Sequence, residues 1–225
     1  LDYMSCVLNE WGYCMAVERL MGVEVPERGE YVRVILGELQ RIGHHLVYLA
    51  SMALDFNGYT AWMYMFRERE KILDILEAYS GSRMNNNALR IGGAPTPLPE
   101  GLEEKIRAWA EQFPAQMRDF ENVVNGNEIF LARTKNVGIL DAEMCKNYGV
   151  FGSNIRAAGV NLDLRKIKPY SVYDRFDFDV PLGKQGDCFD RYDVRHREMA
   201  ESCKIILQAL DQMPKEGPTM GKVPK

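Results

Sequence analysis

A long apolar stripe near the start of the chain constrains its fold more than any other feature. Apolar residues recur there in alternating steps of three and four, at Val32, Ile35, Leu39, Ile42, Leu46, Leu49 and Ala53. This spacing places them on one face of an α-helix, and a stripe sustained over so many turns is typical of helices that pack in a bundle. Pro26 suits the start of such a helix and Asn57-Gly58 its end. The sequence therefore predicts one long helix between these positions, within a helical bundle.

Helical periodicity covers much of the remaining chain. We predict further helices over residues 2–21, 60–79, 99–124, 141–147 and 187–213. Asp2 is expected to cap the first of them and Gly22 to end it, whereas Pro114 should kink or split the helix that contains it. The fold class is therefore mainly α. We expect a single helical domain over residues 1–213 and a Pro/Gly/Lys-rich tail, extended or mobile, over residues 214–225.

Charge and cysteine usage exclude several classes of function. The formal net charge of −4 provides no electrostatic footprint for nucleic-acid binding. No stretch approaches the ~20 apolar residues that a membrane-spanning helix needs. The five cysteines form no C-x-x-C pair, which argues against a disulfide framework, a zinc site or an iron–sulfur cluster within this chain, so no metal ligand is predicted. Because the chain begins at Leu1 and not at methionine, we expect it to be a fragment of a longer protein.

A segment dense in charge lies between Asp163 and Arg191. Twelve charged residues of both signs share it with aromatic residues, and prolines and glycines interrupt any helix or long strand. Ordering such a segment costs about 1–2 kcal/mol per residue in conformational entropy. We therefore expect irregular loops whose charges are satisfied by a partner and which are partly mobile in the isolated chain.

Few residues indicate chemistry by their pattern alone. Asp55 ends a long apolar stretch, so either its carboxylate handles protons or it bonds the local backbone at a helix end. Tyr3 is equally ambiguous, because a phenol at a helix start usually packs with one hydrogen bond. His45 lies beside the apolar stripe and is interpreted as a core histidine. Gly92-Gly93 lacks the spacing and the strand–helix context of a dinucleotide-binding loop.

The order of short motifs along nearly the whole chain resembles a known family. The motifs are L-D-Y at 1–3, A-V-E-R-L at 16–20, V-P-E-R at 25–28, H-L at 45–46, A-L-D at 53–55, F-R-E-R-E at 66–70, R-I-G-G at 90–93, D-L-R-K at 163–166, P-Y-S-V-Y-D at 169–174, F-D-V-P-L-G at 178–183 and G-D-C-F-D-R-Y at 186–192. Together they are similar to the 49-kDa (D-type) subunit of NADH:quinone oxidoreductase, respiratory complex I. The resemblance implies a helical bundle related to the large subunit of nickel–iron hydrogenases, with irregular charged loops. The missing C-x-x-C pairs fit a quinone-site relative better than a hydrogenase.

The resemblance also assigns roles to particular residues. Tyr3 occupies the position of the tyrosine that hydrogen-bonds the quinone head group. Asp55 occupies that of an aspartate paired with a histidine on a loop that would precede Leu1, so we expect Asp55 to be partly buried and to face the same cavity as Tyr3. Asn85 stands where family members commonly have a histidine near the terminal iron–sulfur cluster. Arg83 and Arg90 flank that position and are expected near the partner's cluster or the quinone cavity.

The same resemblance implies an assembly. Electrons would come from an iron–sulfur cluster in a B-type subunit, with a C-type subunit and membrane-arm subunits as further partners. This chain would ligate no cofactor itself: quinone is the substrate, while FMN and the iron–sulfur clusters belong to other subunits. The expected location is peripheral, on the cytoplasmic or matrix face of an energy-conserving membrane, in a proton-pumping complex.

Two alternatives remain open from the sequence. The first is the equivalent subunit of a membrane complex fed by ferredoxin or a deazaflavin, since the electron donor binds elsewhere and the flanking genes would discriminate. The second is a non-catalytic helical scaffold, against which the presence of both Tyr3 and Asp55 argues.

Overall fold

The computed structural model describes residues 2–224, which form nine α-helices and one 3₁₀ turn. The helices are α1 (Cys6–Met21), α2 (Glu27–Asp55), α3 (Tyr59–Ser80), α4 (Leu102–Val124), α5 (Glu128–Thr134), α6 (Ala142–Asn147), α7 (Ser153–Ala157), α8 (Leu164–Ile167) and α9 (Cys188–Gln212), and the 3₁₀ turn covers Tyr173–Arg175. Within residues 2–224, β-structure is limited to two isolated bridges, Arg90 with Gly93 and Gly93 with Met220. The predicted mainly α fold class is confirmed.

Helix α2 is the centre of the core. Every residue from 31 to 40 is buried, and so are all seven members of the apolar stripe. The helix begins directly after Pro26, whose fixed φ suits a helix start, and it ends at Asp55 ahead of Asn57, a non-glycine residue with positive φ. The helix predicted from the apolar stripe is therefore confirmed.

The four long helices α2, α3, α4 and α9 form a closed bundle, in which each packs against two of the others. α2 packs against α3 and α9, and α4 closes the ring by packing against both α3 and α9. α1 lies along α2, and the short helices α5 and α7 lie against α9. Because each long helix buries one apolar face toward the same centre, the arrangement is a four-helix core with α1 on its flank.

Two expectations about helix boundaries are wrong. α1 starts at Cys6 and not at Asp2, because the Asp2 carboxylate accepts the N–H of Met4 and closes a turn ahead of the helix. α4 continues through Pro114 without a break. Its apolar face, including Phe113, is buried, and this packing outweighs the loss of one backbone hydrogen bond at proline.

The charged segment satisfies many of its charges inside the chain, which corrects the expectation of partner-directed loops. Asp163 and Arg165 are buried and paired with each other, and Arg165 also reaches Glu38 on α2. Asp187 is buried as the N-cap of α9. Because Glu38 belongs to the central helix, its pairing with Arg165 ties this part of the segment to the chain's own core.

The tail after α9 is extended and packs on the body. The Thr219 carbonyl accepts the N–H of Ala94, and the Gly221 N–H donates to the Gly92 carbonyl. Gly93 permits this approach, because a Cβ there would lie 2.1 Å from the Thr219 oxygen. The C-terminal tail is thus paired with the loop that precedes α4.

The hydropathy of the helices bears on membrane insertion. Between residues 2 and 224, no helix combines the length and the apolar character that crossing a bilayer requires.

Candidate functional site

A surface groove lies between the start of α1 and the loop that follows α3. It has a volume of about 470 Å³. Its lining residues are Asp2, Tyr3, Cys6, Asn9, Glu10, Tyr13, Asn85 and Asn86. We call it the Tyr3 groove, because the Tyr3 side chain is 63% exposed and offers its phenol to a ligand. Two candidate residues that are 82 positions apart in the sequence, Tyr3 and Asn85, are thus brought together.

Asn85 adopts a backbone conformation that favours its residue type. Its φ of 49° lies in the left-handed region, which asparagine tolerates better than most residues. Its side-chain oxygen accepts a weak hydrogen bond from the Cys6 thiol at 3.5 Å. Burial raises the pKa of the Cys6 thiol, so this thiol stays protonated and acts as the donor. The contact ties the Asn85 amide to α1.

Glu10 of α1 binds the loop that follows α3. One of its carboxylate oxygens accepts the backbone N–H groups of Ala88 and Leu89, at 3.0 and 3.1 Å. Desolvation raises the pKa of Glu10, although both backbone donors oppose the shift. Glu10 and Tyr13 also line an adjoining pocket of about 270 Å³ that contains Arg90. Arg90 therefore neighbours the Tyr3 groove.

A buried ion pair holds the same loop a few residues further on, at Arg90 and Gly92. Arg33 donates to both carboxylate oxygens of Glu18, at 3.0 and 2.5 Å, and also to the Arg90 carbonyl at 2.8 Å. Glu18 in turn accepts the N–H of Gly92 at 2.6 Å. Acidic residues of α1, at positions 10 and 18, thus hold the middle of the loop at residues 88–89 and 92. Sequence reasoning missed their role, although a glutamate on an otherwise buried helix face was a signal.

Arg83 is not part of the groove. Its guanidinium pairs with Glu70 and with Asp74 at 3.1 Å, both on the exposed face of α3. These are surface ion pairs of small energetic value. The structure therefore offers Arg83 to solvent or to a partner and not to a ligand beside Tyr3.

Asp55 is exposed and does not line the Tyr3 groove, so residues 2–224 alone do not form the expected cavity shared by Asp55 and Tyr3. It occupies the last position of α2. The residue before Tyr3, Asp2, lies 3.8 Å from His44 of the same helix. At 1.5 Å per residue, the eleven residues from His44 to Asp55 span about 16 Å. No ion-pair or hydrogen-bond partner of the Asp55 side chain lies within residues 2–224, so such a partner would come from outside the described part of the chain.

Buried polar residues connect α2 with α9. His45 is confirmed as a core histidine: it lies 2.8 Å from Glu198, and burial lowers its pKa to about 4, so the ring is neutral and donates. Glu198 also accepts from Ser153 at 2.8 Å and from Arg156 at 2.5 Å. These bonds keep the pKa of Glu198 well below its usual range despite its burial.

A second buried carboxylate, Glu38, lies two turns earlier on α2. Its oxygens accept from Arg41, Arg165, Tyr173 and Ser202. Burial would raise the pKa of Glu38, but the two guanidinium groups and two hydroxyls lower it to about 2. Sequence reasoning did not find this cluster, because its members lie up to 164 residues apart.

The Tyr3 groove offers hydrogen-bonding groups for a polar ligand head. A phenol can donate to a carbonyl oxygen and can supply a proton, while the amides of Asn9 and Asn85 can donate or accept. Over residues 2–224, no group of three His, Cys, Asp or Glu side chains is placed to hold a metal ion. The hydrogen-bonding groups of the groove suit a ligand that carries a carbonyl oxygen.

Comparison with known proteins gives consistent matches. The family described as "Respiratory-chain NADH dehydrogenase, 49 Kd subunit" matches residues 55–225. All 225 residues align with proteins named as the D-type subunit of NADH-quinone oxidoreductase: at 53% identity in Clostridium beijerinckii, 51% in Desulforamulus reducens and 47% in Bacillus anthracis. The alignments cover 60%, 61% and 62% of those proteins. The chain thus spans about three fifths of the length of the curated relatives it matches.

Proposed function

Because the chain belongs to the 49-kDa subunit family of respiratory-chain NADH dehydrogenases, which is related to the hydrogenase large subunit, we propose that it forms the quinone site of such a complex. In this role it passes electrons from an iron–sulfur cluster of a neighbouring B-type subunit to quinone. The chain would be peripheral in this assembly, on the cytoplasmic or matrix face of an energy-conserving membrane, with C-type and membrane-arm subunits as further partners.

The single observation that carries the proposal is the exposed phenol of Tyr3 in a groove shared with Asn85. Reduction of a quinone by two electrons creates oxygen anions that must take up protons. A phenol, with a pKa near ~10 in water, can hydrogen-bond the quinone oxygen and donate to it as charge develops. Tyr3 is thus the proposed proton donor at the quinone head.

Asn85 is proposed to face the partner's cluster. Its amide can donate a hydrogen bond to a cluster sulfur, but it does not titrate near neutral pH as a histidine would. Glu10 and Glu18 accept backbone N–H groups of its loop, from Ala88 and from Gly92, and so restrain the loop against α1. The loop would therefore set the spacing between electron donor and quinone.

Asp55 is proposed to act through a histidine outside this chain. Its exposure at the end of α2 leaves its carboxylate accessible to such a partner. A carboxylate–histidine pair can relay protons toward a tyrosine that has donated one. Asp55→Asn keeps the shape and removes the charge, so quinone turnover should fall while assembly remains normal.

Replacement of Tyr3 by Phe in the assembled complex tests the proposal. We expect quinone reductase activity to fall roughly ten-fold, the equivalent of one lost hydrogen bond of about 1.4 kcal/mol in the transition state. NADH oxidation by an artificial acceptor at the donor end should be unchanged. Tyr148→Phe, at a surface tyrosine far from the groove lining, is the matched control and should be silent.

Unchanged quinone turnover in Tyr3→Phe would contradict the assigned role. If Asp55→Asn were equally silent, the scaffold alternative would account for the chain better. A complex that reduces quinone with ferredoxin or a reduced deazaflavin, and not with NADH, would leave the role of Tyr3 intact and change only the electron donor.

A further inference from the structure

A second groove lies on the other side of α1 from the Tyr3 groove. Its apolar half, of about 370 Å³, is lined by Leu8, Trp11, Gly12, Met15, Arg41, Leu164 and Tyr170. Its polar half, of about 240 Å³, adds Phe151, Gly152, Arg156, Leu162, Asp163 and Arg165. Because both halves share Arg41, Leu164 and Tyr170, they form one depression, which we call the Arg41 groove.

Arg41 lies at the junction of the two halves with part of its guanidinium unused. Its Nε donates to both oxygens of Glu38, at 3.2 and 3.1 Å. Neither terminal nitrogen of Arg41 has an acceptor among residues 2–224, and neither is sealed from solvent, since the side chain is 19% exposed. Arg41 is therefore anchored from beneath and presents two N–H-bearing nitrogens to the groove.

Arg156 adds a third donor from the polar half. Its Nε binds Glu198 and its Nη1 binds the Leu162 carbonyl, whereas its Nη2 has no acceptor within the described part of the chain. Arg165, by contrast, uses all three nitrogens on Asp163 and Glu38. Two of the three arginines in the groove, Arg41 and Arg156, therefore keep N–H groups without an acceptor in the described part of the chain.

The chemistry of the groove selects an anion beside an apolar group. A guanidinium fork matches the geometry of a carboxylate, and partial burial strengthens such charge-assisted bonds. The neighbouring apolar half is bounded by Trp11, Met15 and Leu164. Phe151 and Leu164 stand on the rim at 72% and 61% exposure. Exposed apolar residues around a partly buried arginine are typical of protein–protein contact surfaces.

We propose that the Arg41 groove binds a polypeptide segment of another chain in which an Asp or Glu side chain neighbours an apolar one. The carboxylate bonds the open nitrogens of Arg41 and Arg156, and the apolar side chain fills the half lined by Trp11 and Met15. Arg41 and its neighbours Leu164 and Tyr170 lie between the two halves, so the positive charge of Arg41 interrupts the apolar surface. A continuous acyl chain of a lipid therefore fits less well. The proposal rests on the proposed function only in that the chain works inside an assembly.

The experiment places a photo-reactive benzoylphenylalanine at Phe151 of the full-length protein in its assembled complex. After irradiation, mass spectrometry identifies what is attached. We expect a segment of another chain with an Asp or Glu within a few residues of the attachment point. Arg41→Glu should lower the cross-link yield at least roughly ten-fold, and exchange of the identified acid for Arg should restore it. Arg19→Glu, at an exposed arginine of α1 outside the groove, is the control and should keep the yield.

Because Arg41 also pairs with Glu38, its substitution can disturb folding. Leu164→Ser removes an exposed apolar side chain from the rim, and it should lower the yield while the melting temperature stays unchanged. Attachment to lipid, attachment to a segment without an acidic residue, or a yield that neither substitution lowers would overturn the proposal. The readout is attachment and not turnover, so its failure is distinguishable from that of Tyr3→Phe.

Discussion

The buried carboxylate of Glu38 provides the sharpest test of how the fold is stabilised. Its side chain is 0% exposed and bonds two guanidinium groups, of Arg41 and Arg165, and two hydroxyls, of Tyr173 and Ser202. Glu38→Gln preserves the shape and removes the negative charge. Both arginines then lose the anion between them, and we expect the protein to be strongly destabilised at neutral pH.

The magnitude follows from the shift in pKa. The pKa of Glu38 falls from 4.5 to about 2 on folding, and at 1.36 kcal/mol per unit this corresponds to about 3 kcal/mol. Breaking one side of a buried ion pair costs about 3–5 kcal/mol in general, which agrees. For a chain of this length, about 3 kcal/mol lowers the melting temperature by roughly 6–12 °C.

The sign of the pH dependence is also determined. Because folding lowers the pKa of Glu38, its stabilising contribution is fully present above the unfolded value of 4.5. It is lost progressively as the pH falls from 4.5 toward 2. The difference in unfolding free energy between the wild type and Glu38→Gln should therefore be largest at pH 7 and should shrink through this acidic window.

Urea unfolding of the purified protein at pH 7, 5, 4 and 3 measures this difference. Glu111→Gln is the matched control, since Glu111 is exposed on α4 and forms no ion pair within residues 2–224. It should change the unfolding free energy by less than about 0.5 kcal/mol at every pH. Equal urea midpoints for the wild type and Glu38→Gln at pH 7, or a difference that does not vary with pH, would refute the reasoning.

Three further predictions concern the close backbone approach at Gly93, the helix cap at Asp187 and the side chain of Asn85. Gly93→Ala should lower the unfolding free energy measured in urea by about 3 kcal/mol, because its Cβ would collide with the Thr219 carbonyl. Gly12→Ala, with open space around its Cβ, should be neutral or stabilising. Equal effects of the two substitutions would contradict this. Asp187→Ala should cost about 2 kcal/mol, because it leaves two backbone N–H groups unpaired: that of Asp190 in the first turn of α9 and that of Asn136 in the loop after α5. Asp187→Asn, which keeps one acceptor, should cost less in the same assay. If the proposed placement of Asn85 beside a partner's cluster is right, the midpoint potential of that cluster in the assembled complex should vary little with pH. Asn85→His should then introduce a slope of up to about 59 mV per unit in a redox titration. A steep slope in the wild type would show that another group supplies the coupling.

Local patterns in the sequence determined the helices and the family. The apolar stripe of α2, the glycine stop at Gly22 and the aspartate cap at Asp141 each depend on residues within about four positions of one another. Such short-range rules can be read without knowing the fold. The ordered motifs likewise identified the family from sequence alone, and the family match over residues 55–225 confirms it.

Only the tertiary structure decided which charges are internal and which residues share a groove. Asp163 and Arg165 looked like partner-directed charges because nothing nearby in the sequence shows that Glu38 lies against them, 127 positions away from Arg165. Tyr3 and Asn85 line one groove, yet Asp55 lies about three helical turns from the contact between Asp2 and His44. The physical reason is the same in each case. A periodic face is encoded by neighbours along the chain, whereas an ion pair or a groove forms only where distant elements pack together.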